Sequence, residues 1–166
     1  MADNEPPFWK RKKLTEMTLD EWESLCDGCA KCCLHKLEYD DQEYAFTNVA
    51  CHLLDTKTCK CSNYPERTLL VPDCVELMPR NLPTLAWMPA TCAYLLIHQG
   101  KDLPDWHPLV SGDPDSVRKA GISAHDRIVS EREIEDLEDH IVDWPADTIE
   151  QAQERNKQRN KKRARR

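Results

Sequence analysis

A run of four cysteines within eight residues constrains this chain more than any other feature, and residues 26–33 have the sequence CDGCAKCC. A Cys-x-x-Cys step lets two thiolates converge on one ion, because the intervening residues form a tight turn whose amides point at sulfur. Gly28 tolerates the backbone conformations that such a turn requires. Cys26, Cys29 and Cys32 therefore predict a three-thiolate half-cage, with the spacing that begins a bacterial ferredoxin cluster run.

The remaining cysteines extend this prediction beyond the motif. Cys33 could hold a second metal ion, bridge two ions or complete the first site, since adjacent side chains tend to diverge. The later cysteines are Cys51, Cys59, Cys61, Cys74 and Cys92. Nine thiols would supply two four-sulfur sites with one to spare, and tetrahedral sulfur coordination indicates zinc or an iron–sulfur cluster. Cys59 and Cys92 also fit small buried hydrophobic residues, because Cys is often packed as one.

Several features predict a reducing compartment for these thiols. The N-terminal sequence MADNEPPFWKRKKL carries prolines and charges where a signal peptide needs an apolar run. Prolines interrupt the longest apolar stretch, between Leu85 and Ile97, so no membrane helix of ~20 residues is expected. We therefore expect a cytoplasmic protein without a membrane partner, whose cysteines bind metal and do not pair as disulfides. Disulfides are the alternative for a secreted chain. The sequence makes no prediction about oligomeric state.

Composition indicates that an ordinary hydrophobic core would be thin. Aromatic residues make up 7% of the 166 residues, charged residues make up 32%, and the mean hydropathy is −0.73. A structural zinc contributes about 10–16 kcal/mol in small peptides, which matches the ~5–15 kcal/mol net stability of a whole domain. We therefore predict an α+β fold, mostly helical and irregular, in which metal nucleates a small cysteine-rich domain with helices at its C-terminal end.

Three ranges divide the chain in this prediction. Residues 1–14 form a flexible lead, residues 15–147 form a single metal-binding domain, and residues 148–166 form a basic tail that is either helical or disordered. The tail could contact nucleic acid through its basic residues. However, the tail has no interleaved aromatic residues and the chain carries a net charge of −7, so nucleic acid is the less favoured partner.

Local signals predict the regular elements. Thr18-x-x-Glu21 is a capping-box pattern, and a helix is expected from there to Cys26. A second helix is predicted at 90–99, ended by Gly100, and a third from Pro114 to just before Gly121. A fourth is predicted from Ser130, where the pattern Ser130-x-x-Glu133 precedes an apolar stripe that runs to Pro145. Candidate strands are Tyr44–Asn48 and Thr68–Val71.

The cysteine spacing resembles a known family. CDGCAKCC, Cys51-His-Leu, the segment from Cys61 to Arg67 and then Cys74 are similar to the bacterial CxxCxxCC family, which is described as chelating zinc or iron. WMPATCAYLL and DLPDWHPLVSGDPDSV resemble its YcgN-like subgroup, up to about Trp144. The resemblance implies that the metal ligands are Cys26, Cys29, Cys32, Cys33, Cys51, Cys61 and Cys74. The family's usual Arg-Pro is Arg-Thr here, at 67–68, and the resemblance implies no particular reaction.

Four other side chains lie near the cysteines in sequence. His35 and His52 could coordinate zinc through neutral imidazole or hold the ligands by hydrogen bonds. Arg67, with Tyr64 beside it, could neutralise an anionic thiolate cluster. Surface positions without function are the plainer interpretation of all four.

One segment raises the question of catalysis. DLPDWHPLVSGDPD contains His107, which could act as a general base near a carboxylate, but a packing role for Trp106 and a capping role for Asp113 are favoured. The sequence leaves enzymatic activity open. Metal binding of undefined role is the leading hypothesis, and the alternatives are an iron–sulfur redox or protein-modifying enzyme and a nucleic-acid adaptor that uses the tail.

Overall fold

The computed structural model describes residues 5–40 and 43–165, and short helices, short strands and irregular segments alternate along it. The predicted α+β class is confirmed. The helices are α1 Phe8–Arg11, α2 Leu19–Ser24, α3 Arg67–Leu70, α4 Ala93–His98, α5 Pro108–Ser111, α6 Ser116–Lys119 and α7 Ile149–Ala164. The strands are β1 Leu34–Glu38, β2 Tyr44–Ala50, β3 Leu54–Asp55, β4 Lys60–Cys61, β5 Val129–Ser130 and β6 Ile141–Val142.

Strand β2 organises the larger sheet and contains the predicted strand at 44–48. It pairs with β1 in an antiparallel hairpin that has an irregularity between Leu34 and Lys36. Its other edge pairs with β5 in parallel and with β6 in antiparallel orientation. Strands β3 and β4 form a separate antiparallel hairpin. The sheet therefore brings the segment at 129–142 against the end of β2, where Cys51 follows.

Two helices place cysteines at their ends. The capping box predicted for α2 is confirmed, because Thr18 accepts from the Glu21 amide at 3.2 Å and the Glu21 carboxylate accepts from the Thr18 amide at 2.9 Å. Helix α2 ends at Ser24, two residues before Cys26. Helix α4 lies within the predicted range 90–99, and Cys92 is its N-cap residue. Gly100 follows it in the left-handed conformation, with φ of 74°.

Two predictions of secondary structure are wrong. Residues 67–70 form a helical turn and not a strand, because the Leu69 and Leu70 amides bond the Glu66 carbonyl. The helix predicted from Ser130 is absent from the described residues. Ser130 ends β5 there, and 3₁₀ turns lead to β6, because β2 has an open edge whose backbone groups these residues satisfy. Helix α6 also begins at Ser116, not at Pro114.

The C-terminal segment forms α7, which begins with a capping box between Thr148 and Gln151. Within the described residues, no helix combines the length and apolar character that crossing a bilayer requires. The predicted domain limits at 14 and 147 stay a prediction, and their outer ends, residues 1–4 and 166, lie outside the described residues.

Three small hydrophobic clusters stabilise the described part of the fold, and the cysteine motif together with Leu25 and Leu34 on either side of it contributes to all of them. Leu25 packs with Tyr94 and its neighbours in the first cluster. Cys29 packs in the second cluster, and Ala30 and Leu34 pack in the third. A Leu-to-Ala change at a buried position costs about 2–5 kcal/mol. The motif is therefore held in place from three sides, and its conformation depends on all three clusters.

Candidate metal centre

The CDGCAKCC motif folds as a tight turn. Gly28 and Ala30 both adopt the left-handed conformation, with φ of 76° and 64°. Glycine adopts this conformation without strain, whereas a residue with a Cβ loses about 1–2 kcal/mol. Asp27 stabilises the turn, because its Oδ1 accepts from the Cys29 amide at 3.0 Å. The sequence prediction of a turn at Gly28 is confirmed, and Ala30 adds a second bend that the sequence did not indicate.

This turn separates the cysteines of the motif. Cys26 and Cys32 are solvent-exposed, whereas Cys29 is buried with Trp106 and Ile122 in a hydrophobic cluster. The Cys33 side chain hydrogen-bonds the Cys32 thiol and packs against another cluster. Cys26 and Cys32 therefore reach the surface, whereas Cys29 is buried behind it, close enough for its charge to interact with that of Cys32.

Cys92 joins Cys26 and Cys32 at this surface. The three thiols are close enough for their charges to interact, although they come from two segments about 60 residues apart. Burial is the main reason that the pKa of Cys26 and that of Cys92 are raised to about 12, and the neighbouring charges add to this effect. Both groups are accessible to solvent yet have protein on most sides, as expected for the lining of an open recess.

Backbone amides point at these sulfurs. The Gly28 amide lowers the pKa of Cys26, and the amides of Leu95 and Tyr94, at the start of α4, lower that of Cys92. Hydrogen bonds of this kind stabilise a thiolate. A further contact supports the chain next to Cys26, because buried His107 bonds the Leu25 carbonyl through Nε2 at 2.9 Å.

Asp27 supplies an unpartnered anionic oxygen beside the three thiols. Its Oδ2 is buried and has no hydrogen-bond partner among the described residues. The charge of the Asp27 carboxylate interacts with those of Cys26 and Cys92. Burial raises the pKa of Asp27. A buried carboxylate oxygen without a hydrogen-bond partner is costly in a protein interior, and the nearby charge of Lys31 offsets only part of this cost. The donor set, with one carboxylate and three thiols, fits a cation such as zinc or iron.

A second group of cysteines adjoins the first. Cys74 interacts electrostatically with Cys32 on one side and with Cys61 on the other, and both Cys61 and Cys74 interact with Cys51. Arg67 hydrogen-bonds the Cys74 thiol. The Arg67 guanidinium lies 3.8 Å from the centre of the Tyr64 ring, and the Tyr64 hydroxyl donates to Glu23 at 2.8 Å. The α3 turn therefore directs a cation at this second group.

Cys51 also belongs to a mixed set of donors. Among the described residues, one group of three has all its potential ligand atoms within 4.8 Å of one another, namely Cys51, His52 and Glu131. The Glu131 carboxylate lies 2.5 Å from His52 Nδ1 and 2.7 Å from His35 Nε2, and it accepts from the His52 amide at 2.7 Å. Burial alone would raise the pKa of Glu131, but the bonds from His52 and His35 lower it.

Two lysines place positive charge behind the thiols. Lys31 is 1% exposed, and its Nζ donates to Thr91 Oγ1 at 3.0 Å. Lys36 donates to the Leu34 carbonyl at 2.7 Å and lies over the Trp87 ring. Burial lowers the pKa of each lysine, and the charges of nearby cysteines oppose this effect. Such cations would stabilise an anionic metal–thiolate group.

Cys59 stands apart from the other predicted ligands. It is 8% exposed, packs in a hydrophobic cluster, and hydrogen-bonds Ser123. Its φ of 57° holds the tight turn between β3 and β4. The alternative of a small buried residue describes this position, whereas Cys92 lies with the exposed thiols.

The segment with His107 has a structural role. Both ring nitrogens are occupied, since Nδ1 accepts from the Leu109 amide at 3.0 Å and Nε2 bonds the Leu25 carbonyl. The residue is 0% exposed. Trp106 packs in a hydrophobic cluster, and the Asp113 side chain accepts from the Asp115 amide in the turn before α6. The burial of His107 and its two hydrogen bonds favour the packing interpretation of this segment over a catalytic one.

Sequence reasoning missed Asp27, Lys31, Lys36 and Glu131. The first three lie within or just after the motif, so their position beside the cysteines was a usable signal. Glu131 lies 79 residues from His52, and only the pairing of β2 with β5 brings the two together. A single sequence carries no signal for that contact.

Comparisons with known proteins agree with this geometry. Residues 25–93 match a family model, CxxCxxCC, whose description is "Putative zinc- or iron-chelating domain". The chain is 57% identical over 154 residues to a UPF0260 protein of Rhizobium etli, which covers 91% of this chain and 98% of that relative. It is also 58% identical over 148 residues to a UPF0260 protein of Parvibaculum lavamentivorans, and this match covers 87% of this chain and 97% of that relative. No solved structure matches the chain.

Proposed function

The chain belongs to the UPF0260 family, and we propose that it binds zinc or an iron–sulfur centre through the exposed thiols around Asp27. One observation carries the proposal. Cys26, Cys32 and Cys92 come from separate segments, and their charges interact with that of Asp27, whose buried Oδ2 has no hydrogen-bond partner in the described structure. Convergence of sulfur on an unpaired anion is costly unless a cation compensates it.

The proposed ligands fall into two groups. The first is Cys26, Cys32 and Cys92 with the Asp27 carboxylate, and the second is Cys51, His52, Cys61, Cys74 and Glu131, in which Cys74 also interacts with Cys32. Cys33 adjoins the first group through Cys32. Cys29 and Cys59 have packing roles in this proposal, since hydrophobic clusters bury both.

Metal identity follows from the donors in each group. Thiolates alone suit zinc or an iron–sulfur cluster, whereas imidazole with carboxylate suits a single zinc or iron ion. The ~2.3 Å Zn–S bond puts two sulfurs of a tetrahedral site about 3.8 Å apart. The thiols of the first group do not form a set that close, so they would move together when they bind metal.

A bound metal would crosslink the segments that the three hydrophobic clusters bring together. Lys36 and Arg67 would then offset the negative charge of the coordinated thiolates, and Lys31 would offset that of Asp27. No disulfide joins any of the nine cysteines, all of which lie in the described residues, and we propose that the protein works in a reducing compartment such as the cytoplasm.

Purification without oxygen, followed by metal analysis and an absorption spectrum, tests the proposal. A colourless protein with zinc supports a zinc site, and a brown protein with iron and acid-labile sulfide supports the iron–sulfur alternative. In either case Cys26→Ser and Cys92→Ser should lose at least tenfold in metal affinity, about 1.4 kcal/mol. Cys59→Ala is the matched control and should retain wild-type affinity. A chain that takes up neither metal, or that melts identically with and without metal, would contradict the proposal.

A further inference from the structure

A recess lies away from the thiols, between α7 and the segment that runs from α6 to Arg127. Its volume is about 310 Å³, which is the lower end of the ~300–1,000 Å³ range of small-molecule sites. Its walls include Arg118, Arg127, Arg159 and Arg163. None of the cysteines lines it, so whatever the recess binds is separate from the metal.

The recess is basic although the chain is acidic. Five Lys or Arg residues and two Asp residues line it, whereas the chain as a whole has a net charge of −7. Two of the cations have acidic neighbours, since Lys119 pairs with Asp113 at 2.7 Å and Arg118 lies 3.9 Å from Asp126. In the described part of the chain, the other three cations, Arg127, Arg159 and Arg163, form no ion pair.

Arg127 is held in position with donor capacity left over. Its Nη2 donates to the Gly121 carbonyl, and its guanidinium lies 4.9 Å from the centre of the Trp144 ring. Its Nε is buried and has no hydrogen-bond partner among the described residues. Burial, together with repulsion from Arg159, lowers the pKa of Arg127 to about 10. An anion bound between the guanidiniums of Arg127 and Arg159 would offset their mutual repulsion and would give the Nε of Arg127 a hydrogen-bond acceptor.

Helix α7 is fixed against the fold where it forms the wall of the recess. A Cβ on Gly121 would lie 2.4 Å from the Asn156 side chain, so the helix packs closely against this turn. Ala152 is buried with Val117 in a hydrophobic cluster, and Arg155 forms a two-point contact with Asp147 at 2.8 and 3.1 Å. Arg159 and Arg163, one turn apart on the same helix, therefore face the recess from a defined position.

We propose that this recess binds the phosphate group of a small molecule. Guanidinium groups match phosphate through paired N–H donors, and Arg is the usual residue for such recognition. Arg127 supplies a fixed fork at the base, while Arg159 and Arg163 close over the outer oxygens. Free phosphate, diphosphate and the phosphates of a nucleotide share this chemistry.

Calorimetric titration of the full-length, metal-loaded protein tests the proposal. The probes are inorganic phosphate, pyrophosphate, ATP and a single-stranded RNA, each at two salt concentrations. We expect saturable binding of at least one of the three small probes at one site per chain. Tighter binding of ATP than of pyrophosphate would identify a nucleotide site, and equal binding would identify a phosphate site that makes no contact with the base.

Matched variants locate the binding. Arg127→Gln and Arg159→Gln should each weaken it at least tenfold, and Arg127→Lys should weaken it less, because it keeps the charge but loses the fork. Arg80→Gln removes an exposed arginine outside the recess and should leave binding unchanged. Arg159→Gln lies on a half-exposed helix position, so a melting curve equal to the wild type would show that it folds. Binding of RNA alone, equal effects of Arg80→Gln, or no binding of any small probe would overturn the proposal.

Discussion

The hydroxyl of Tyr94 donates a 2.7 Å hydrogen bond to the backbone carbonyl of Trp22, and the two rings pack with their centres 4.5 Å apart. Tyr94 belongs to α4 and Trp22 to α2. Cys26 lies just beyond the end of α2 and Cys92 directly precedes α4. The packing of these two helices therefore sets the separation of two thiols that are far apart in sequence.

Tyr94→Phe should reduce both stability and metal affinity. The Trp22 carbonyl keeps its bond from the Leu25 amide, so the loss of one buried hydrogen bond should cost about 1 kcal/mol. For a chain of this size that is a fall of about 2–4 °C in melting temperature. Metal affinity should fall several-fold, because the two helices would hold Cys26 and Cys92 less firmly. Thermal melts and zinc competition titrations measure the two effects.

Tyr44→Phe is the control for this change. The Tyr44 hydroxyl makes a longer bond, 3.4 Å, to Glu38 at the protein surface, far from α2 and α4. Tyr44→Phe should therefore shift the melting temperature by less than about 1 °C, as expected for a change at the surface. If both variants behaved alike, the Tyr94 bond would have no special role in the site.

Asp27→Asn should not lower the stability of the metal-free protein, but it should weaken metal binding. Without metal the variant should be at least as stable as the wild type, because it removes a buried unpaired charge and Asn can still accept from the Cys29 amide. With metal the variant should bind about tenfold more weakly, since the neutral amide no longer attracts the cation. Melts of the apo and zinc-loaded forms, with Asp73→Asn as an exposed control, measure both effects.

The same substitution gives a pH test. Burial raises the pKa of Asp27 in the folded chain above its unfolded value. The metal-free folded protein therefore binds this proton more tightly, and its stability should fall as pH rises from the unfolded pKa to the folded pKa. Asp27→Asn should remove this part of the pH dependence. An apo wild type and variant with parallel stability curves from pH 4 to 8 would show that Asp27 carries no such cost.

Local signals predicted the elements whose stability is local. The capping box at Thr18, the helix end at Gly100 and the strand that starts at Tyr44 depend on neighbouring residues, and the structure shows all three. The segment after Ser130 has a helical pattern but pairs with β2, and that choice depends on a strand some 80 residues away. Tertiary pairing overrides a weak local preference in such cases.

The candidate site also has some features that local sequence predicts and others that only the tertiary structure determines. The spacing in CDGCAKCC predicted a tight turn at Gly28, but it did not show that Ala30 would add a second left-handed bend or that Cys29 would pack in a hydrophobic cluster. Cys92 was ambiguous in sequence because the surrounding residues are apolar. Its position as the N-cap of α4 leaves it partly exposed, while Ala93, Tyr94 and Leu96 of the helix are buried.

Glu131→Gln should weaken the second group of donors without affecting the first. The change removes the charge that His35 and His52 contact, and it should cost about 1–3 kcal/mol of stability because these hydrogen bonds are charge-assisted. Metal bound at Cys51 and His52 should be lost first, while metal at Cys26 and Cys32 stays. Metal-to-protein ratios after mild chelation measure this, and Glu133→Gln on the same 3₁₀ turn is the exposed control. Equal retention in both variants would remove Glu131 from the ligand set.

Gly121→Ala should undock α7. Gly121 has a φ of 76°, which costs an alanine about 1–2 kcal/mol, and the added Cβ would lie 2.4 Å from the Asn156 side chain. The two costs together should exceed 2 kcal/mol and lower the melting temperature by more than about 4 °C. Because α7 forms one wall of the basic recess, phosphate binding there should fall as well, whereas metal content should not.

Gly112→Ala separates the two contributions. Its φ of 74° is almost the same, but nothing lies within 4 Å of the added Cβ, so the variant carries the backbone strain without the contact to α7. The difference between the two variants therefore measures the helix contact alone. Adding Asn156→Ala to Gly121→Ala should recover only part of that difference, because it removes the Asn156 Cγ and Oδ1 but leaves its Cβ 2.5 Å from the new Cβ. Equal destabilisation by Gly112→Ala and Gly121→Ala would mean that α7 does not pack closely against this turn in solution.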